Sequence, residues 1–199
     1  YVSNGIAIDE KNGIYVASDK YMRKIIWTGT KLSTDEKDGA WSTFYEIGQQ
    51  PPTIKVGKGT GSTPTLMGFG DDEDKLVVIT DGANRMNIVA FWRDEIPAGF
   101  KQKPGTKSNR IADQMPITAG LPKTKKWIQS EQSVAVKDYG AFVVNNIVEN
   151  VPKGDFLAVT FGIGPIVESP VGVERVECET KANKWKSVWT RKDISSISM

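Results

Sequence analysis

Six oxygen-bearing side chains recur at matched places in this sequence. Asn4, Thr63 and Gln132 each precede an apolar run, and Asp19, Asp81 and Asn146 each close a second run 14 to 18 residues later. Carboxylate, amide and hydroxyl oxygens gathered in one place suit a hard cation such as calcium, which takes roughly 6–8 oxygen ligands. Such a cation polarises a carbonyl or phosphoryl oxygen, and a carboxylate beside it serves as ligand or general base. The competing reading is local: an Asp that follows a strand closes a turn through its own backbone. Asp19 and Asp81 are each followed four residues on by an arginine, Arg23 and Arg85, which fits an ion pair within each unit.

Other chemistry is removed by composition. The 199 residues include no histidine and one cysteine, Cys178. Without histidine there is no Ser-His-Asp or Cys-His machinery and no His-ligated metal in this chain. A lone cysteine forms no internal disulfide and no Cys-cluster zinc site. Cys178 lies in an alternating run with no neighbouring base, as a packed thiol would. With 26 basic and 24 acidic residues the formal charge is +2, too small for the electrostatic footprint of a nucleic-acid binder.

The elements that would position the six residues read as strands. Ile14 to Ala17, Leu76 to Ile79, Ile88 to Phe91 and Ala141 to Val144 are β-branched or alternating runs bounded by Gly, Asn, Asp or Pro. Asn12-Gly13 closes a tight turn, Asp71 to Asp74 a longer acidic one, and Lys137 to Gly140 a third. No window carries a helical stripe. The longest nearly apolar stretch, Phe156 to Val167, is 12 residues long and broken by Gly162, Gly164 and Pro165, short of the roughly 20 that a spanning helix needs.

These elements repeat. A first strand, a turn and a second strand recur at Ser3 to Asp19, Ser62 to Asp81 and Glu131 to Asn146. Third strands follow at Lys24 to Trp27, Asn87 to Trp92 and Val173 to Cys178. Fourth strands follow at Trp41 to Tyr45, near Ile111 to Thr118 and at Trp185 to Trp189. Four antiparallel strands per unit is the β-propeller blade. The expectation is an all-β chain, a propeller fragment of about three blades at 1–62, 63–131 and 132–193, with a fourth opening at 194–199. The alternative is a β-sandwich. A closed ring takes roughly four to eight blades, so further blades would come from the rest of a longer protein or from a partner chain. Alternating strand direction places Asn4, Thr63, Gln132 and Ser195 on one face together with Asp19, Asp81 and Asn146, around a channel mouth. The hairpins at Asp9-Glu10 and Asp71 to Asp74 fall on the opposite face.

Ser3-Asn4-Gly5-Ile6-Ala7-Ile8-Asp9 followed by Gly13-Ile14-Tyr15-Val16-Ala17-Ser18-Asp19 resembles the blade opening of the six-bladed SMP-30, gluconolactonase, paraoxonase and strictosidine-synthase-like propellers. The resemblance implies that Asn4 is a ligand of a central divalent metal and that the activity is calcium-dependent hydrolysis of a lactone or ester. The next ligand position holds Thr63 where that group has Asn or Asp, and the paraoxonase-type histidine is absent. Gly61 to Leu66 is similar to the blade opening of quinoprotein-like propellers, which implies a redox role as a third reading.

The function expected from the residues is a ligand- or partner-binding propeller without clear catalytic machinery. It would take a small molecule or protein at the top face, not nucleic acid, with no membrane span. The compartment stays open between cytoplasm and export. Gly57-Lys58-Gly59-Thr60-Gly61-Ser62-Thr63 lacks the order of a phosphate loop and no helix follows it, so a connector between blades is expected. The seven basic residues from Lys101 to Lys126 read as a solvated loop. The six tryptophans are expected between blades or at their rims.

Overall fold

The computed structural model describes residues 2–50, 57–147 and 169–195. The apolar stretch at 156–167 and residues 196–199 lie outside the described residues. The chain is all-β. Strands β1 (Ala7–Ile8), β2 (Gly13–Ala17), β3 (Tyr21–Trp27), β4 (Leu32–Ser33) and β5 (Trp41–Phe44) form the first sheet. Strands β6 (Thr65–Met67), β7 (Leu76–Thr80), β8 (Asn87–Trp92) and β9 (Ile111–Pro116) form the second, and β10 (Ala135–Lys137), β11 (Gly140–Val144), β12 (Val171–Glu179) and β13 (Lys184–Ser195) the third. All neighbours are antiparallel. The short β4 pairs the far end of β3, and β5 pairs its near end, so the fourth-strand position of the first sheet is shared.

The second sheet lies between the other two. Val77, Ile79, Val89, Phe91 and Ile111 pack with Tyr15, Ala17, Met22 and Trp41 of the first sheet. Leu76, Val78, Ile88 and Ala90, from its opposite face, pack with Ala141, Val143, Val176 and Cys178 of the third. That explains why β7 reads as a continuous apolar run: side chains alternate across a strand, and both faces are covered. Val77, Val78, Ile79, Ile88, Val89 and Phe91 are all fully buried, and such burial contributes roughly 1.5–3 kcal/mol per side chain.

Hydrogen bonds at the hairpin ends show which positions are equivalent. Ser18 N donates to Tyr21 O, Asp81 N to Asn87 O and Asn145 N to Gly172 O, at 2.8, 2.9 and 2.8 Å. The equivalent residues are therefore Ser18, Asp81 and Asn145. Asp19 and Asn146 stand one residue beyond, not in register with Asp81 as the sequence pattern suggests. The turns differ in length, from Ala17↔Met22 to Thr80↔Ile88 and Val144↔Val173, so aligning like letters slips the frame. Tyr15 and Ala17 of the first sheet face the second, and Val78 and Thr80 of the second face the third; Phe142 and Val144 are at the equivalent positions of the third sheet.

Ile194 and Ser195 do not open a fourth unit. They continue β13, with Ser195 opposite Val171. The strand runs through Asp193, whose carboxylate is paired with Arg191, so the acidic residue does not end it.

Candidate functional site

The starts of the three first strands meet. Asn4 Nδ2 donates to Ser62 O at 3.0 Å, and Gly5 N to Thr63 Oγ1 at 3.0 Å. Ser62 Oγ donates to Gln132 O at 2.7 Å and lies 2.7 Å from Thr80 Oγ1. A hydroxyl has one proton, so Thr80 is the donor in that second bond. Asn4, Thr63 and Gln132 are thus gathered at the first-strand starts, and fully buried Ser62 is the hub. Sequence reasoning missed Ser62. It precedes Thr63 by one position in a connector without hydrophobic pattern, and its partners are 18 and 70 residues away.

Asp19 faces the connector into the second sheet. Its Oδ1 accepts from Lys58 N at 2.7 Å and Gly59 N at 2.9 Å. The connector needs glycine there: Gly57 has φ +91°, and a Cβ on it would lie 2.4 Å from Asp19 Oδ1. The glycine-rich stretch therefore cradles an anion, but the anion is the protein's own carboxylate. Beside it, buried Tyr45 donates its hydroxyl proton to Ser18 O and accepts from Thr60 N at 3.0 Å. Burial first, and then the carboxylates of Asp19, Asp81 and Glu131, push the Tyr45 phenol well above its usual range.

Asp81 is 1% exposed. Its Oδ1 accepts from Ala83 N at 3.0 Å and Asn87 N at 2.8 Å, and its Oδ2 from Asn87 Nδ2 at 2.6 Å. Burial outweighs these bonds and pushes the carboxyl up to about 6. Asn146 Oδ1 accepts from Glu131 N at 3.0 Å, while neighbouring Asn145 accepts from Gln129 N and donates to Val171 O. The connector into the third sheet is clamped in this way. The expected Asp–Arg pairs are replaced by other contacts. Arg23 donates to Ser42 Oγ and covers the Tyr21 ring, and Arg85 donates to the carbonyls of Pro122 and Lys125. Arginine is long enough to pass its neighbour by, and both aspartates are already held by amides.

A concavity borders this network at Tyr45. On the same face, a cavity of about 320 Å³ is lined by Lys20, Phe44, Tyr45, Glu46, Ile47 and Lys107. Lys107 is paired there with Glu46 at 2.8 Å, and Lys103 with Asp113 at 2.9 Å, so members of the basic loop are neutralised locally.

The opposite end holds the densest charge. Lys24 is 5% exposed. Its Nζ reaches Asp94 Oδ1 at 2.9 Å, Arg93 O at 3.1 Å and Asp9 Oδ2 at 3.7 Å. Burial raises the Asp94 carboxyl, but Lys24 and Lys11 together bring it down to about 2. Asp9 is likewise pushed up by burial and held below its ordinary value by the Tyr15 hydroxyl, the Gly13 and Lys11 amides and Lys24. A cavity of about 820 Å³ opens beside this cluster, lined in part by Lys11, Lys24, Trp41, Asp94 and Arg110. Burial pushes the Cys178 thiol up to about 12, which makes it a poor nucleophile.

Among the described residues no group of three or more His, Cys, Asp or Glu is arranged to hold a metal, and no helix is long and apolar enough to cross a membrane. No protein-family model matches this chain, and no solved structure matches it. An uncharacterized protein of Archaeoglobus fulgidus is 39% identical over 195 residues, covering 94% of this chain and 36% of the relative. The chain thus spans about a third of the length of that curated relative.

Proposed function

We propose that this chain is a segment of a binding β-propeller whose mouth is a structural joint without catalytic machinery, and that a small ligand or protein is gripped at the rim of the same face. One observation carries the reading. The oxygens that chemistry would need are spent on the fold: Asp19 on two connector amides, Asp81 on its own turn, Asn146 on Glu131 N and Thr63 on Gly5 N. The rim cavity, with exposed Phe44 between Lys20 and Lys107, is at the lower end of ligand-pocket size. The propeller reading is supported by three equivalent sheets in series, the first two turning the same face to the sheet that follows.

A second reading, calcium-dependent hydrolysis of the SMP-30 kind, is favoured by one atom. Asn4 Oδ1 is buried and has no hydrogen-bond partner among the described residues. Calcium takes roughly 6–8 oxygen ligands, and among the described residues no group of three or more His, Cys, Asp or Glu is arranged to hold a metal, so no step is drawn through that site. The redox reading has no comparable support.

Calorimetric unfolding with calcium and with chelator separates the two. The binding reading expects the same midpoint in both and no esterase or lactonase turnover. A calcium-dependent rise in midpoint that Asn4→Ala abolishes, together with chelator-sensitive turnover, would overturn it in favour of the metal enzyme.

A further inference from the structure

The outer face of the third sheet repeats an interface that the molecule already uses. Tyr15↔Lys24 in the first sheet, Val78↔Ala90 in the second and Phe142↔Arg175 in the third are equivalent cross-strand pairs; the first two lie on the face turned to the following sheet, and the third lies on the same face of its own sheet. In the first two sheets these positions are buried by the next sheet: Tyr15, Ala17, Val78 and Ala90 are fully covered. In the third, Phe142 and Val144 are half-buried, and Trp189, which packs on Phe142 at 5.8 Å between ring centres, is 44% exposed.

The charge pattern repeats as well. Lys24 folds back over Gly13, where a Cβ would lie 2.6 Å from its Cε, and Arg175 folds back over the equivalent Gly140, 1.8 Å from its Nη1. Lys24 is neutralised across the interface by Asp94, two residues past the third strand of the next sheet. Among the described residues Arg175 has partners only within its own sheet, Glu177 at 3.2 Å and Val176 O at 2.9 Å, and its side chain is 30% exposed.

We propose that the face built from Phe142, Val144, Arg175 and Trp189 seats a fourth four-stranded sheet, contributed by a continuation of this polypeptide, whose turn after its third strand presents a carboxylate to Arg175 as Asp94 does to Lys24. Continuation is favoured over a second copy of this chain. A copy would bring its first sheet to that place, and the turn after its third strand is Thr28-Gly29-Thr30-Lys31, with a lysine and no carboxylate. A longer polypeptide has room for the sheet, since the Archaeoglobus fulgidus relative extends well beyond the matched 195 residues. The inference is independent of what the mouth does, because a ring closes equally around a binding site or an enzyme.

Thiol labelling tests it. Trp189→Cys and Ala135→Cys are made in these 199 residues and in the chain extended by its natural flanking sequence. The short chain is expected to label at one rate at every protein concentration, and the extended chain at least tenfold more slowly at both positions. Arg175→Glu is expected to lower the melting midpoint of the extended chain more than that of the short one, and Arg175→Lys to restore it. Four results would overturn the proposal: equal labelling in both chains, slow labelling of the short chain at every concentration, protection of the short chain that grows with concentration (a second copy), or flanking sequence that adds no further four-stranded unit. Calcium has no part in this readout, so its failure is distinct from failure of the binding reading.

Discussion

The two ends of the sheet stack hold their carboxylates in opposite ways. At the end where the first strands start, Asp19 and Asp81 are bonded to amides. At the other end, Asp9 and Asp94 face the buried ammonium of Lys24. Amide dipoles satisfy hydrogen bonds but do not cancel a charge, so burial leaves Asp81 near 6, while two lysines bring Asp94 to about 2. The same residue type thus ties connectors to turns at one end and locks the first sheet to the second at the other. The first end relies on hydrogen bonds to amides. The far end depends on charge balance, and removing a partner there should do the greater harm.

Lys24→Ala is the strongest way to break that contrast. It leaves Asp9, whose side chain is 3% exposed, and Asp94 without their shared cation. Losing one partner of a buried ion pair costs about 3–5 kcal/mol, and the loss is expected as a lower urea midpoint with unchanged slope. Acidity sharpens the contrast next. The Asp81 carboxyl binds its proton more tightly folded, at about 6, than unfolded, at 3.8. Stability is therefore greatest below the unfolded value and falls as pH rises from about 4 to about 6, by on the order of 3 kcal/mol for a shift of about two pKa units in a buried group. Asp94 acts in the opposite sense: its folded value lies below the unfolded one, so stability is gained as pH rises from about 2 to about 4. Urea midpoints measured from pH 3 to 8 are expected to peak near 4, and Asp81→Asn is expected to flatten the descending limb alone.

Much of this was legible in the sequence. The β-branched runs at Ile14, Leu76, Ile88 and Ala141 all lie in strands, and Trp185 to Trp189 lies in β13. The strand period and turn residues act locally, so local reading finds them. The register of the hairpin ends was not legible, because it is set by hydrogen bonds at Ser18, Asp81 and Asn145 rather than by the repeated acidic letter at 19 and 81. Ser62 and Lys24 were missed for a related reason. A hydroxyl in a connector and a lysine in a strand carry no signal by themselves. What makes them central is a partner 70 residues off in each case, Gln132 and Asp94. Long-range polar pairing is the part of this fold that composition and periodicity do not carry.

At the first-strand starts, Ser62→Ala sharpens the comparison with a smaller effect. It leaves Gln132 O and the Thr80 hydroxyl without their shared partner, at a cost of about 1–3 kcal/mol for buried polar groups. Because no charge is stranded, the loss is expected to be the same at pH 5 and pH 8, which Lys24→Ala will not match if Asp94 and Asp9 begin to protonate. A pH-dependent loss at Ser62 would mean that the hydroxyl network and the Asp81 carboxyl act as one unit.

The smallest expected effect isolates burial from charge within the far end itself. Lys11 and Lys24 both hold Asp94, at 3.1 and 2.9 Å, but the Lys11 side chain is 59% exposed and that of Lys24 is 5% exposed. Water screens the first pair, and exposed pairs contribute about 0.2–1 kcal/mol. Lys11→Ala is therefore expected to lower stability several-fold less than Lys24→Ala, and the difference from wild type is expected to vanish in about 1 M salt, where the screening length is about 3 Å. The Lys24→Ala loss is expected to survive the same salt, because the side chains of Lys24 and Asp9 are 5% and 3% exposed and buried pairs are screened much less. Equal losses for the two lysines, or equal salt sensitivity, would show that solvent reaches Lys24, and the claim that buried charge balance locks the first sheet to the second would fail with it.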